Sequence, residues 1–261
     1  MIVSKTRSIN LSQKKKYETI TGKIPKKRPP LPKPLQNLFD EHYLKNRESS
    51  SENLIHKKVE SWCHNAIPDR LLKNKNTLEI GAGTLNHLSY EKLSHKSYDI
   101  IEPKDFLYKN SVYFKKIRSA FSDYSEVPKN FYDRIISIAV LEHMEDLPYF
   151  LSKSAYNLKD NGYHSHSIPC EGYPFWNWSW TITRSLPFRI RTGYPYKLVQ
   201  QHEHLNNFKE ITGIIKIFYN NVKIRYSYPS FCTPYLSLFA NITFSKPVFS
   251  RIEKYLDQRS I

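Results

Sequence analysis

The sequence predicts an α/β fold built on a doubly wound, mostly parallel sheet of about seven strands. Apolar strand-like runs alternate with helical patterns through residues 51–170, which is typical of βα units. The first run ends in the glycine turn 81–83, and the second ends in Glu102, 19 residues after Gly83 (102 − 83). A nearly continuous apolar run at 131–141 indicates a central strand buried on both faces.

The glycine turn indicates a site for a nucleoside-containing ligand. Two of the chain's seven glycines, Gly81 and Gly83, let the backbone turn tightly and lie close to a ligand. We expect a helix after the turn to direct its N-terminal N–H groups at that ligand. Glu79 precedes the turn, and Glu102 has the spacing of a carboxylate that binds a ribose hydroxyl. Asn86 stands where the NAD fingerprint has its third glycine, which leaves another adenosine cofactor.

The remaining elements are predicted from periodicity and from helix-end signals. We expect a helix over 51–72 that Pro68 ends, a helix between Asp146 and Gly162, and a capping pair formed by Asn207 and Glu210. The predicted strands cover 77–80, 98–101, 116–121, 131–141, 163–169, 216–227 and 236–245. His164 and His166 fall inside the fifth strand, where a structural role is expected.

Charge and cysteine content narrow the classes of partner. A formal charge of +16 over 261 residues favours an anionic partner, which could be nucleic acid, a membrane surface or a phosphorylated substrate; a general basic bias is the alternative. The three cysteines are an odd number without a CxxC pair, so neither a disulfide framework nor a zinc ribbon is expected. No secretory signal or membrane span is recognisable, and a cytoplasmic protein is expected.

Four segments are predicted along the chain. Residues 1–50 form a basic arm, which either holds an anionic partner or is a solvated tail; 51–170 form the ligand-binding core. Residues 171–210 form an insertion rich in aromatic residues and arginine, and 211–261 supply the last two strands and a tail. The insertion, with three of the four tryptophans, is either a substrate cap or a packing flap or subunit interface.

Two stretches together resemble a known family. "LEIGAGTLNHL" at the first strand and "YDRIISIAVLEHMEDL" at the fourth are similar to motifs of class I S-adenosylmethionine-dependent methyltransferases, of the bacterial small-molecule type, over roughly residues 55–246. The resemblance implies a Rossmann-like fold and S-adenosylmethionine as the cofactor. A further family glycine is replaced here by Leu85. The cofactor-binding positions that the resemblance implies are Glu79, Gly81, Ala82, Gly83, Glu102, Asp123, Tyr124, Ala139 and Leu141.

Three histidines are the candidate catalytic residues. His143 ends the fourth strand beside the expected methyl group, where it could act as a general base or simply pack or cap. His202 and His204 would share one side if the chain there is extended, and they could act as a base, contact a polyol or form a structural pair. A lone HxH is weak support for a metal site, so no metal is predicted.

The function that these features favour is O-methylation of a polar, anionic small molecule, such as a nucleotide- or lipid-linked sugar or a precursor of a surface polysaccharide. The alternatives are an RNA methyltransferase, which the basic arm and the charge would suit, and a non-catalytic protein that keeps the fold for binding or scaffolding. Nucleic acid is a possible but not a favoured partner, because no RNA-binding module is recognisable. The oligomeric state stays open.

Overall fold

A seven-stranded sheet is the frame of the molecule. The structure is a computed structural model that describes residues 24–39, 54–70, 74–91, 97–227 and 233–259. Along the sheet the strands follow the order β3-β2-β1-β4-β5-β7-β6. They are β1 (Asn76–Ile80), β2 (Ser97–Ile101), β3 (Ser119–Phe121), β4 (Tyr132–Ile138), β5 (Leu158–Pro169), β6 (Tyr219–Tyr226) and β7 (Phe239–Pro247).

Five neighbouring strands are parallel, and β7 runs antiparallel to both β5 and β6, so the predicted doubly wound, mostly parallel sheet is confirmed. Ile80 pairs with Ile101, and Ile101 pairs with Phe121, so the carboxyl ends of β1, β2 and β3 lie side by side. The strand order reverses between β1 and β4. A crevice opens there outside the strand ends, which is where ligands bind in such sheets.

Helices cover both faces of the sheet. The helices are α1 (residues 33–39), α2 (Leu54–Asn65), α3 (Asp105–Tyr108), α4 (Leu147–Ser154), α5 (Pro174–Trp180), α6 (Leu186–Thr192), α7 (Lys197–Glu203), α8 (Phe208–Phe218) and α9 (Phe249–Asp257). Helix α2 packs on β5 and β7, whereas α4, α8 and α9 contact one another on the other face, around the large apolar core.

Several predicted helix boundaries differ from the structure. Helix α2 ends at Asn65, before Pro68. The Asp146 side chain caps α4 as predicted, but that helix ends at Ser154. Gly162, which we expected beyond the helix end, lies instead within β5. A Cβ atom there would meet the carbonyl oxygen of Tyr132 at 2.9 Å, so the strands approach too closely for a side chain.

Two further predictions were wrong, because a local pattern was assigned to the wrong element. The start of the predicted strand 216–227 belongs to α8, whose capping box of Asn207 and Glu210 is confirmed. The expected helix after the glycine turn is only a four-residue 3₁₀ helix, Asn86–Ser89. Strands β3 and β4 are also shorter than predicted, and β5 is longer, at 12 residues.

The predicted insertion is helical and lies between β5 and α8. We call residues 174–203 the cap: it comprises α5, a π-helical turn (Thr181–Ser185), α6 and α7. In the N-terminal arm, residues 24–39 lie against the rest of the chain; residues 1–23 and 40–50 are outside the described ranges. Cys63 and Cys170 are buried free thiols, and Cys232 is also outside the described ranges. Among the described residues, no helix has the length and hydropathy to cross a membrane.

Candidate active site

The glycine turn and the end of β2 are joined directly. Gly81 and Gly83 have φ of +63° and +52°, a region that favours glycine. The Gly81 N–H donates to the Ile101 carbonyl oxygen at 2.8 Å. The Gly83 N–H donates to Glu102 Oε2 at 3.0 Å, and the Lys104 N–H donates to Oε1 of the same carboxylate at 3.1 Å. Glu102 is therefore fixed at the edge of the crevice, with a lone pair left on each oxygen.

Two residues without the freedom of glycine also adopt left-handed backbone near the crevice. Leu85 has a φ of +66° at the position where the resemblance expects a glycine. Its side chain is fully buried with Ala82 and Leu88, and this packing holds the strained conformation. Ala139, directly after β4, has a φ of +54°, and its N–H donates to the Ser167 carbonyl oxygen. The backbone therefore turns sharply after both β1 and β4, on the two sides of the point where the strand order reverses, which we call the switch point.

Glu79 lies beneath the turn. Its neighbours Leu78 and Ile80 point into the large core, whereas Glu79 faces the other side of β1 and accepts a hydrogen bond from the Tyr98 hydroxyl at 2.7 Å. Burial raises the pKa of Glu79 to about 8, although the Tyr98 hydrogen bond partly opposes that rise. That Glu79 lines the ligand stays a prediction; its hydrogen bond to Tyr98 places the carboxylate beneath the turn.

Asp123 follows β3 at the same edge of the sheet. Its carboxylate accepts from the Ser125 N–H at 2.7 Å and so caps the 3₁₀ turn Tyr124–Glu126. These hydrogen bonds hold the pKa of the exposed Asp123 below its usual value, so the group is ionised. Leu141 is different, because its side chain is fully buried in the core and leaves only its backbone near the crevice.

A second space lies under the cap. A cavity of about 520 Å³ is enclosed by α1 from the arm, by the cap and by the loop after β4. Two histidines, His143 and His204, line it together with Glu203. Trp180 also lines it, and its buried Nε1–H has no hydrogen-bond partner among the described residues. Most of the remaining lining residues are apolar, aromatic or basic, and two are neutral and polar: Leu35, Leu38, Phe39, Arg184, Pro187, Phe188, Arg191, Tyr196 and Val199, with Thr183 and Gln200.

Backbone and carboxylate acceptors orient the two cavity histidines. His143 Nδ1 lies 2.8 Å from the Glu203 carbonyl oxygen, which can only accept, so Nδ1 carries the proton and Nε2 is the basic nitrogen of the neutral ring. His204 Nδ1 donates to the Glu171 carboxylate, to which Gln200 also donates. The two rings meet edge to face, with centroids 4.8 Å apart.

Carboxylates surround His204. Burial alone would lower the pKa of His204, but the hydrogen bond to Glu171 and the charges of Glu142, Glu171 and Glu203 together raise it. Burial also raises the pKa of Glu142 to about 7, an effect that the positive charge of His204 reduces. Nothing local in the sequence indicates that Glu142 and Glu171 both lie beside His204.

His202 is separated from this cluster. We expected it to share one side with His204 in an extended segment, and that expectation was wrong because His202 lies in the last turn of α7. Its ring is on the outside, where Nδ1 donates to the Pro29 carbonyl oxygen at 2.8 Å. The arm also reaches the site through Arg28, which donates to the carbonyl oxygens of His143 and His202, both at 2.9 Å. Sequence reasoning missed this role of Arg28.

Comparison with known families decides the class of protein. A family model described as a methyltransferase domain matches residues 54–217, which is more than half of the chain. The chain belongs to this methyltransferase family. The predicted class I methyltransferase fold and its cofactor, S-adenosylmethionine, are thereby confirmed. No curated protein matches the sequence.

Solved structures of methyltransferases share the fold at low sequence identity. One from Archaeoglobus fulgidus, described as S-adenosylmethionine-dependent, is 13% identical with a TM-score of 0.53, covering 80% of this chain and 100% of its own. A possible histamine N-methyltransferase from Thermotoga maritima is 14% identical with a TM-score of 0.51, at coverages of 73% and 95%. Phosphoethanolamine N-methyltransferase 2 of Haemonchus contortus, in complex with S-adenosylmethionine, is 14% identical with a TM-score of 0.50, at coverages of 70% and 52%.

The residues of the crevice suit S-adenosylmethionine. A ribose diol needs a fixed acceptor, and Glu102 is held at that point by two backbone N–H groups. A cofactor close to the backbone needs a turn without bulky side chains, which residues 81–83 supply. The residues at the strand ends therefore fit the cofactor, and the loop after β4 also lines the cavity under the cap.

Glu79 should make the stability of the cofactor-free methyltransferase depend on pH. In the unfolded chain this carboxyl ionises near its ordinary value of 4.5, but in the folded chain it ionises only near 8. The neutral carboxyl of Glu79 therefore stabilises the folded state fully below pH 4.5, and this stabilisation is lost as the pH rises through about 8. The Glu79→Gln variant can still accept a hydrogen bond from Tyr98. Its free energy of unfolding should fall less than that of the wild type between about pH 5 and pH 8, and the two falls should differ by at least about 1 kcal/mol. Urea unfolding at both pH values measures this, and equal falls in both proteins would contradict it.

Proposed function

We propose that this methyltransferase methylates a hydroxyl group of a polar, anionic small molecule, such as a nucleotide- or lipid-linked sugar or a surface-polysaccharide precursor. The observation that carries the proposal is the cavity under the cap, which brings two imidazoles and two arginines around one space. An O-methyltransferase needs a group that activates a hydroxyl, and an anionic acceptor needs cations. A cytoplasmic location is part of the proposal.

The cofactor roles follow the strand ends. Glu102 would accept from the ribose hydroxyls, and the backbone of residues 81–83 would lie against the methionine and ribose portion. Asp123 and the backbone N–H of Tyr124 would bind the adenine ring. On the other side of the switch point, Ala139 and the backbone of Leu141 would close the crevice, while Glu79 would support the turn from below.

The acceptor would bind under the cap. Arg184 and Arg191 lie along the cavity lining and would contact an anionic group, and aromatic rings beside them would stack on a planar group or a sugar ring. The buried Trp180 Nε1–H would donate to a substrate oxygen, because a buried donor without a partner is costly. The cavity volume of about 520 Å³ suits a small molecule.

When bound, S-adenosylmethionine supplies a methyl group on a positively charged sulfur, and it leaves as the neutral S-adenosylhomocysteine once the methyl–oxygen bond has formed. The chain then has to align the acceptor oxygen and accommodate its proton. His143 and His204 would perform this task, and the contacts of their Nδ1 atoms with Glu203 and Glu171 support the proposal. Arg28 fixes the backbone of the loop that carries His143.

The described part of the basic arm gives less support to RNA as the substrate. Lys26 forms an ion pair with Glu210 at 3.0 Å, and Arg28 pairs with Glu145 and Glu203. These cations already have partners within the chain. A panel assay tests the choice: S-adenosylhomocysteine release should require nucleotide- or lipid-linked sugars, and release with RNA alone would refute the proposal.

Replacing Glu102 should weaken cofactor binding. Glu102→Gln keeps an acceptor for the Gly83 N–H but loses the charge and one acceptor oxygen for the ribose, so affinity for S-adenosylhomocysteine should fall about 10-fold or more. Asp105→Ala is a matched control, because Asp105 lies three residues further on and forms an ion pair with Lys109 at the surface. Calorimetry measures both. Unchanged binding in Glu102→Gln would remove Glu102 from the cofactor site.

Replacing either cavity histidine should slow methyl transfer without loss of the cofactor. His143→Ala and His204→Ala should each lower kcat about 100-fold, which is the usual contribution of a group that moves a proton, while S-adenosylhomocysteine binds as in the wild type. His202→Ala is the control from the same segment, since its ring lies outside the cavity, and its kcat should stay near the wild-type value. A rate unchanged in both cavity variants would contradict the assignment.

A further inference from the structure

Three side chains at the loop after β4 and beside the cavity could together bind a metal ion. One carboxylate oxygen of Glu142, one nitrogen of His143 and one nitrogen of His204 lie within 4.8 Å of one another. Ligands that share one ion with bonds of about 2.1 Å lie about 3–4 Å apart, so shifts of about 1 Å would close this group around an ion. Two imidazoles and a carboxylate are a donor set that suits divalent transition metals.

Two independent features indicate that the set is arranged for a cation. Glu142 is only 2% exposed, and its Oε2 atom has no hydrogen-bond partner among the described residues. A buried carboxylate oxygen without a donor is costly unless a ligand satisfies it. The Nδ1 atoms of His143 and His204 are held by Glu203 and Glu171, as is usual for imidazoles that bind a metal through the other nitrogen.

We propose that Glu142, His143 and His204 bind a divalent transition-metal ion at the base of the cavity. Under the proposed function the ion would activate the acceptor, because a hydroxyl bound to it loses its proton more readily. The two imidazoles would then hold the ion and would not accept the proton themselves. The site would then favour acceptors with a hydroxyl that can reach the metal. Binding of the ion itself does not depend on that role.

Cobalt(II) is the probe, since its visible absorption reports its coordination by nitrogen and oxygen. Titrating the full chain with Co²⁺ should give visible bands that Zn²⁺ abolishes and Mg²⁺ does not. Glu171→Gln, which loosens His204, should weaken Co²⁺ binding about 10- to 100-fold, and Glu142→Gln and His204→Gln should weaken it at least as much. His202→Ala is the control and should bind as the wild type does.

Circular dichroism identifies any variant that fails to fold, and Co²⁺ binding is then compared among the variants that do fold. The absence of Co²⁺ bands in the wild type, or equal binding in Glu142→Gln and His204→Gln, would overturn the metal site. Neither result bears on S-adenosylmethionine binding, which calorimetry measures separately. Failure of this inference is thus distinguishable from failure of the proposed function.

A second inference comes from the outer side of the cap. Trp178, Ile182, Leu186 and Ile190 occur at every fourth residue, and they are 62%, 47%, 53% and 78% exposed. The wider π-helical turn over Thr181–Ser185 helps to keep them on one side of a continuous helical stretch. We call these four residues the apolar stripe. Large apolar side chains that are exposed in a row indicate an interaction surface.

Charge selects the partner of the apolar stripe. No acidic residue occurs between Glu171 and Glu203, whereas Arg189 and Lys197 lie in this stretch outside the cavity lining, and Arg184 and Arg191 add positive charge beside the cavity. An amphipathic helix with tryptophan and isoleucine beside arginines has the composition of segments that lie in the interface of an anionic bilayer. The other residues of the same stretch, including Trp180, Arg184 and Phe188, line the cavity.

We infer that the apolar stripe docks on an anionic lipid bilayer. The cavity then lies directly behind the docking surface, and under the proposed function the acceptor would be a molecule carried on a lipid at that surface. Docking requires neither the cofactor nor catalysis, so it can be tested without knowing the acceptor.

Vesicle flotation tests the inference with the full chain. The wild type should float with vesicles of phosphatidylglycerol and phosphatidylcholine, less so at high salt, and not with phosphatidylcholine alone. Ile190→Glu should weaken binding about 10-fold or more, because it places a charge where an apolar side chain would be buried. Val112→Glu is the matched control, since Val112 is 88% exposed but lies outside the cap, and it should bind as the wild type does.

Three results would overturn the inference. They are absence of binding by the wild type, equal binding by Ile190→Glu and the wild type, and a wild-type dimer in solution that Ile190→Glu converts to a monomer. The last result would assign the apolar stripe to a second copy of the chain. Methyl transfer to a lipid-linked acceptor dispersed in detergent, which needs no bilayer, is expected whatever the outcome, so the proposed function is judged independently.

Discussion

The hydrogen bond from the Gly83 N–H to Glu102 is the contact on which the arrangement of the cofactor crevice depends. It joins the turn after β1 to the end of β2, and the Gly81 N–H reinforces it by donating to Ile101. The parallel pairing of β2 with β3 then brings the end of β3 next to the end of β2. Because β4 leaves on the other side of β1, the ligand space is fixed by strand order and by a few backbone bonds.

Most of the parallel sheet could be predicted because its strands are buried on both faces and therefore read as apolar runs. All five residues of β1 and of β2 are buried, and Glu79 and Asp99 are tolerated there because Tyr98 and Arg118 are their partners. The N-terminal capping signals of α4 and α8 were also correct, since capping is a local interaction. The start of β6 was not predictable in the same way, because the apolar residues before it suit a helix as well as a strand.

The active site could be predicted only in part. Residues at strand ends, such as Glu102 and His143, follow from the fold, whereas contacts between distant segments do not. Arg28 reaches the His202 carbonyl across 174 positions of the sequence, and Glu171 reaches His204 across 33. Nothing local in the sequence marks these pairs. The separation of His202 from His204 likewise depends on where α7 ends, which periodicity does not fix to within one residue.

The cap and the arm both line the cavity. Both lie over the loop after β4, so the cavity is complete only when α1 and the cap are in place. We propose that the crevice and this cavity meet at His143 and His204. A crystal structure with bound S-adenosylhomocysteine tests this arrangement. We expect the ribose hydroxyls on Glu102 and a sulfur atom that faces the two imidazoles across the cavity. A nucleoside bound elsewhere, or a sulfur directed away from the cavity, would contradict it.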